Sequence, residues 1–179
     1  MRICQLALVV GALALGASGT RAQTGDPITI GVLNDMSGNF ADQSGAGSVM
    51  AARMAAEEFG GRILGREIKI LSGDHQNKAD IASALARQWY DAQGVELIVD
   101  TPNSGTALAV QEIARNAGKI NIVTTAGSIQ LTGKSCSPTS FHWMWDTYSN
   151  STGLVKAMAK LKVQNWYFIT ADYAFGHAL

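Results

Sequence analysis

Val95-Glu96-Leu97-Ile98-Val99 is followed by Asp100-Thr101-Pro102-Asn103-Ser104-Gly105, then by the stretch 106–117, then by Gly118 and Ile120-Asn121-Ile122-Val123. The first run is nearly all apolar, as a strand covered on both faces must be. Thr101 to Gly105 are turn formers. Over 106–117, Leu108, Ile113 and Ala117 are core candidates of a helix, and Gly118 ends it. Ile120 to Val123 is a second β-branched run. Strand, helix and strand in such close order make a βαβ unit with parallel strands.

The same rhythm continues to either side. Upstream, Ile28-Thr29-Ile30-Gly31-Val32-Leu33 reads as a strand, 34–47 as a loop, and 48–59 as a helix stopped by Gly60-Gly61. Glu67-Ile68-Lys69-Ile70-Leu71 alternates like a strand. Asn77 is a plausible N-cap for a helix over 80–92, with Ile81, Leu85 and Trp89 on one stripe and Gly94 at its end. Downstream, Phe141-His142-Trp143-Met144-Trp145 predicts a strand with Phe141, Trp143 and Trp145 on one face. The stretch 151–161 predicts a helix and Trp166-Tyr167-Phe168-Ile169 a further strand. The pattern predicts an α/β fold: a doubly wound parallel sheet with helices on both faces.

In such a sheet, ligands bind beyond the carboxyl ends of the strands. Two of these ends run through hydroxyls and glycine into a helix: Ser104-Gly105, and Ser44-Gly45-Ala46-Gly47. Free N–H groups and the positive dipole end at a helix start favour a carboxylate or phosphate. A serine that merely caps its helix would look the same. Thr124-Thr125-Ala126-Gly127-Ser128 is a further candidate, because small side chains leave backbone groups open to a ligand. Tyr148, Tyr173 and Phe175 could wall a pocket for an apolar group, or could simply pack.

Composition narrows the function. With 47% apolar and 16% charged residues, the 179-residue chain is not a disordered one. Fourteen basic and 14 acidic residues leave no electrostatic footprint for nucleic acid. Residues 1–22 read as a secretory signal peptide: Arg2 precedes an apolar run too short to span a bilayer, and Thr20-Arg21-Ala22 puts small side chains at a cut site. Loss of Arg2 and Arg21 leaves 12 bases against 14 acids, near −2. Cys4 leaves with the signal, so Cys136 remains alone, as a free thiol or half of a bridge. The exported remainder is expected in the periplasm.

Catalytic motifs are scarce. Gly45-Ala46-Gly47-Ser48-Val49-Met50 carries two glycines of a dinucleotide fingerprint, but Met50 stands where the third small residue belongs. Neither a Gly-Lys-Ser/Thr phosphate loop nor a G-x-S-x-G elbow occurs. His75, His142 and His177 have no metal-ligand spacing. Neither enzymatic activity, metal nor cofactor is expected. An exported hydrolase or oxidoreductase remains the alternative. Asn150-Ser151-Thr152 matches a glycosylation sequon, a short pattern of low specificity.

The strand Ile28-Thr29-Ile30-Gly31-Val32-Leu33 with Met36-Ser37-Gly38, the motif Gly60-Gly61-Arg62-Ile63-Leu64-Gly65, Asp74 and Gln76, Leu131-Thr132, and Tyr173-Ala174-Phe175-Gly176 together resemble the periplasmic substrate-binding proteins of ABC transporters, of the leucine/isoleucine/valine-binding type. The resemblance runs over 26–179. It implies two α/β lobes closing on a small solute, which is then delivered to a permease in the inner membrane. It also implies a longer protein. Residues 23–145 correspond to the first lobe, and 146–179 to the crossover and the start of the second, so this sequence is expected to be an N-terminal part. A partner for Cys136 would then lie in the remainder.

Carried over by position, Ser104 and the group Ala126, Gly127 and Ser128 would hold the solute's carboxylate and ammonium. The loop around Ser44 would form a wall. Phe175 stands where a tyrosine is common. Where amino-acid binders carry an acid at the crossover, this chain has Tyr148, Ser149 and Asn150. An aromatic or aliphatic acid, or an amide, therefore joins branched-chain amino acids among the expected ligands. A ligand-sensing domain for signalling is the alternative use.

Overall fold

The computed structural model of the chain describes residues 25–179; the expected signal peptide, 1–22, lies outside the described residues. Strands β1 (Ile28–Asn34), β2 (Arg62–Ile63), β3 (Arg66–Asp74), β4 (Val95–Asp100), β5 (Ile120–Val123) and β6 (Ser140–His142) form one sheet in the order β2-β3-β1-β4-β5-β6. All neighbours pair in parallel except β2, which folds back antiparallel on β3. That hairpin turns through Leu64 and Gly65, both at positive φ, as the tightest hairpin turns require.

Helices α1 (Gly45–Glu58), α2 (Ala79–Ala92) and α3 (Ser104–Ala117) connect the parallel strands; α4 (Thr147–Lys160) and α5 (Ala174–Ala178) follow the sheet. The chain passes from β1 to β3 on one side and then crosses to β4 on the other. The topological switch point thus lies between β1 and β4, where ligand crevices form in open α/β sheets.

The main core lies under α2 and α3, where Leu33, Trp89, Ile98 and Val110 meet. α1 lies over the other face, against Ile30, Ile70, Leu97 and Val99. Two glycines make the main core possible. A Cβ at Gly31 would stand 2.5 Å from the Trp89 ring, and one at Gly73 would stand 2.7 Å from it. β1 and β3 therefore leave a bare strip on which the indole lies flat. Gly118 ends α3 in the left-handed region, φ 63°, with its N–H bonded back to the last turn.

The doubly wound parallel sheet with helices on both faces is present as expected; several element bounds are not. α1 and α3 begin at Gly45 and Ser104, three and two residues before the periodicity starts. Asn77 is no cap: it sits at φ 56° beside Gln76 at φ 52°, and Lys78 precedes α2. β6 covers only Ser140–His142, so Trp143 and Trp145 are not strand residues. Residues 166–169 form no strand, and Tyr167 and Ile169 are each 91% exposed. A strand needs a neighbour for its N–H and C=O groups, and no described strand lies beside this one. Among the described residues no helix is long and apolar enough to cross a membrane. Cys136 is exposed and has no disulfide partner among the described residues.

Candidate functional site

The carboxyl ends of β1, β4 and β5 are tied by one polar network. Asn34 on β1 donates through Nδ2 to the Gly45 carbonyl at 2.7 Å and to Asp100 Oδ2 at 3.1 Å. Thr124, just past β5, donates to Asp100 Oδ1 at 2.6 Å. Both Asn34 donations go to acceptors, so the amide orientation is fixed. Asp100 and Thr101 then turn through φ 88° and 52°, a region that non-glycine residues seldom occupy. This kink aims the chain into α3. Beside it, a cavity of about 340 Å³ opens between α1 and the sheet, lined among others by Gln43, Ser48, Asp100, Thr124 and Thr125.

Capping of α3 falls to Asn103, not to a serine. Its Oδ1 accepts from the N–H groups of Gly105 at 2.7 Å and Thr106 at 3.2 Å. Ser104 is thereby freed for another use. It is fully buried, and its Oγ accepts the N–H of Ser128 at 3.2 Å, 24 residues along the chain. Ser128 Oγ in turn accepts the N–H of Gln130. Gln111, on α3, holds the same loop by donating to the carbonyls of Leu131 and Ser135 at 3.0 and 2.6 Å. Among the described residues, no carbonyl or side chain accepts from the N–H groups of Thr125, Ala126 and Gly127. The loop thus combines three unspent amides with a serine pair.

The expected site residues divide accordingly. Ser104, Ala126, Gly127 and Ser128 come together on one rim, all buried. Ser44 is buried too, but its hydroxyl donates within its own loop, to the Phe40 carbonyl at 3.0 Å. Tyr148 stands exposed at the start of α4, with no hydrogen bond to the serine pair. Phe175 meets the rim through Trp145, its ring edge-on to the indole at 5.7 Å. A Cβ at Gly127 would overlap the Trp145 ring, so the indole rests directly on that glycine. From the far side, the Thr147 N–H donates to the Gly127 carbonyl at 2.7 Å. Residues 145–147 therefore form the cover over the loop.

Sequence reading missed Asn103 and Trp145. Asn directly before a helix is a strong capping signal and could have been read. Trp145 gave no such signal, because alternation placed it on a strand face that does not exist.

His75, at the end of β3, is fully buried beside this network. Its Nδ1 accepts the N–H of Asn77 at 3.0 Å, which fixes the proton on Nε2 in the neutral ring. Nε2 has no partner among the described residues. Burial pushes the imidazole pKa below its ordinary value, although the nearby Asp35, Asp74 and Asp100 carboxylates pull it upward. Asp74 shows the reverse balance. Desolvation would raise it, but hydrogen bonds from Ser37, Met36 and Gln76 hold it below the ordinary carboxylate value. Among the described residues, no group of three acids, histidines or cysteines is placed to hold a metal ion.

Known proteins share this fold. The family of periplasmic binding proteins matches residues 27–179. A crystal structure of a periplasmic binding protein from Burkholderia mallei is 42% identical with a TM-score of 0.81, covering 86% of this chain and 41% of its own. A branched-chain amino acid ABC transporter periplasmic ligand-binding protein from Burkholderia xenovorans is 37% identical, TM-score 0.73, covering 84% and 40%. An ABC transporter solute-binding protein from R. palustris, solved with benzoate, is 25% identical, TM-score 0.75, covering 85% and 42%. The chain thus spans about two-fifths of the length of these structures. No curated protein matches it. On the family match and the shared fold, the chain belongs to the periplasmic binding proteins.

Proposed function

We propose that this chain supplies the first lobe of an ABC-transporter solute receptor, with 23–145 as that lobe and 146–179 as the crossover and the opening of the second. It works in the periplasm after removal of the signal peptide, captures a small carboxylate or amide, and hands it to an inner-membrane permease. Branched-chain amino acids and aromatic or aliphatic acids are the candidate solutes; benzoate and branched-chain transport are recorded for its structural relatives.

The observation that carries this reading is the loop 125–128: three unspent amides beside the Ser104–Ser128 pair, at the carboxyl rim next to the switch point. Such donors fit an anionic oxygen and need no reaction to do so. The cover over the loop belongs to the crossover, so a hinge motion there would open and close the site. Binding contacts made to both lobes would favour the closed form.

Titration calorimetry of the full-length protein against amino acids, aromatic acids and amides tests the proposal. A micromolar or tighter solute recovered chemically unchanged is the expected result. Ser104→Ala should weaken it about tenfold or more, the worth of a hydrogen bond to a charged group. Turnover of the solute, or unchanged affinity in the variant, would remove the reading.

A further inference from the structure

β5 carries an amide into the core. Along the strand, Ile120 and Ile122 are in register with Leu97 on β4 and Val99, which ends on the α1 side of the sheet. Asn121 and Val123 alternate to the other face, where Val123 packs on Ala107 of α3. Asn121 is fully buried, at 0% exposure, yet neither its Oδ1 nor its Nδ2 bonds any group among the described residues. Turning the amide over changes nothing, since both ends are unpaired. Gln111 on α3 is buried almost as deeply, but its amide donates to two carbonyls.

Across the ladder from Asn121 stands Ser140 of β6, in register with it. Paired strands lie about 4.8 Å apart, and residues in register point to the same face. The Ser140 Oγ is buried and unpaired as well. Interiors seldom leave an amide and a hydroxyl side by side without partners, because each has given up its bonds to solvent. Further chain is no source of a partner for Asn121, which the described residues already seal in.

The two side chains select what can sit between them. Oδ1 needs a donor, Nδ2 needs an acceptor, and the hydroxyl serves as either. A halide would use the donors and leave Oδ1 unpaired. A cation would use the oxygens and leave Nδ2 unpaired. Water donates and accepts, and a buried water is held by a few polar groups of this kind.

We propose that internal water is held between Asn121 and Ser140, bridging β5 to β6 beneath α3. This goes beyond the function proposed above and does not depend on it. β5 runs into the loop 124–128 and β6 into residues 143–147, so the bridge ties together the strands that carry the loop and its cover.

NMR of the full-length protein tests the site directly. The Asn121 side-chain amide protons should show a cross-peak to water, of the sign that a long-lived bound water gives; its absence would overturn the proposal. Urea unfolding supplies a second reading. Asn121→Leu should lower the midpoint, because Ser140 loses its partner along with the water. Adding Ser140→Ala should recover part of that loss, since replacing both polar groups leaves none unpaired. A midpoint raised by Asn121→Leu would mean a dry, unpaired amide and would overturn the proposal, as would a double variant with no recovery. Should Asn121→Leu fail to fold, the cross-peak in the unaltered protein still decides.

Discussion

Trp89 and Trp145 are each laid on glycine, and the two contacts serve different ends. Trp89 lies across Gly31 and Gly73, is 3% exposed, and is surrounded by α2 and the sheet. Trp145 lies on Gly127 with solvent on its other side. In the first case the bare backbone lets two layers close into a core. In the second it brings an indole against a loop of free amides. The surroundings show the same contrast. Up to β6 each strand is paired, whereas 163–170, with Trp166, Tyr167, Phe168 and Ile169, has no regular structure. One device, a ring on glycine, closes the core between α2 and the sheet in one place and seats residues 145–147 on the loop after β5 in the other.

The sharpest way to break this contrast is to remove each ring in turn. Trp89→Ala should cost about 3–5 kcal/mol, the usual range for an aromatic lost from a packed core. Trp145→Ala should cost less, because Trp145 belongs to neither core cluster and packs chiefly on Gly127 and Phe175. Urea unfolding of both variants measures this, and equal losses would erase the distinction.

The rim itself comes next. Asn103→Ala removes the cap of α3 and should cost about 1 kcal/mol. It should also weaken solute binding, because Ser104 is positioned by that first turn. A smaller effect belongs to Gly118, whose left-handed φ suits no side chain; Gly118→Ala should destabilise by roughly 1 kcal/mol or less. This loss should leave solute affinity untouched, which separates fold from site.

Acid probes the boundary between core and rim. His75 is neutral in the folded chain with a lowered pKa, so the unfolded chain binds its proton more readily. Stability should hold above about pH 6.5, the ordinary histidine value, and fall as pH drops below it. His75→Gln should flatten that slope between about pH 6.5 and 5, where the carboxylates have yet to protonate. Asp74, with its depressed pKa, adds its own loss only at lower pH. A slope unchanged in the variant would show that His75 does not titrate with folding.

Much of this was legible along the chain because it depends on neighbours in sequence. Strand and helix periods, turn residues and the hydroxyls after β4 and β5 all repeat at short range. They determined the alternating fold and put Ser104 and 126–128 on one rim. Asn103, one residue from the serine, was legible in principle. The tertiary structure decided what lies far apart in sequence. Ser104 takes its partner 24 residues away, Trp145 finds Gly127 only because residues 145–147 pass over the loop, and His75 gathers its carboxylates from three strand ends. The same reason explains the failed strand at 166–169. Periodicity states that a segment can pair, but pairing is a property of two segments, and a β-prone run without a partner in reach stays unpaired.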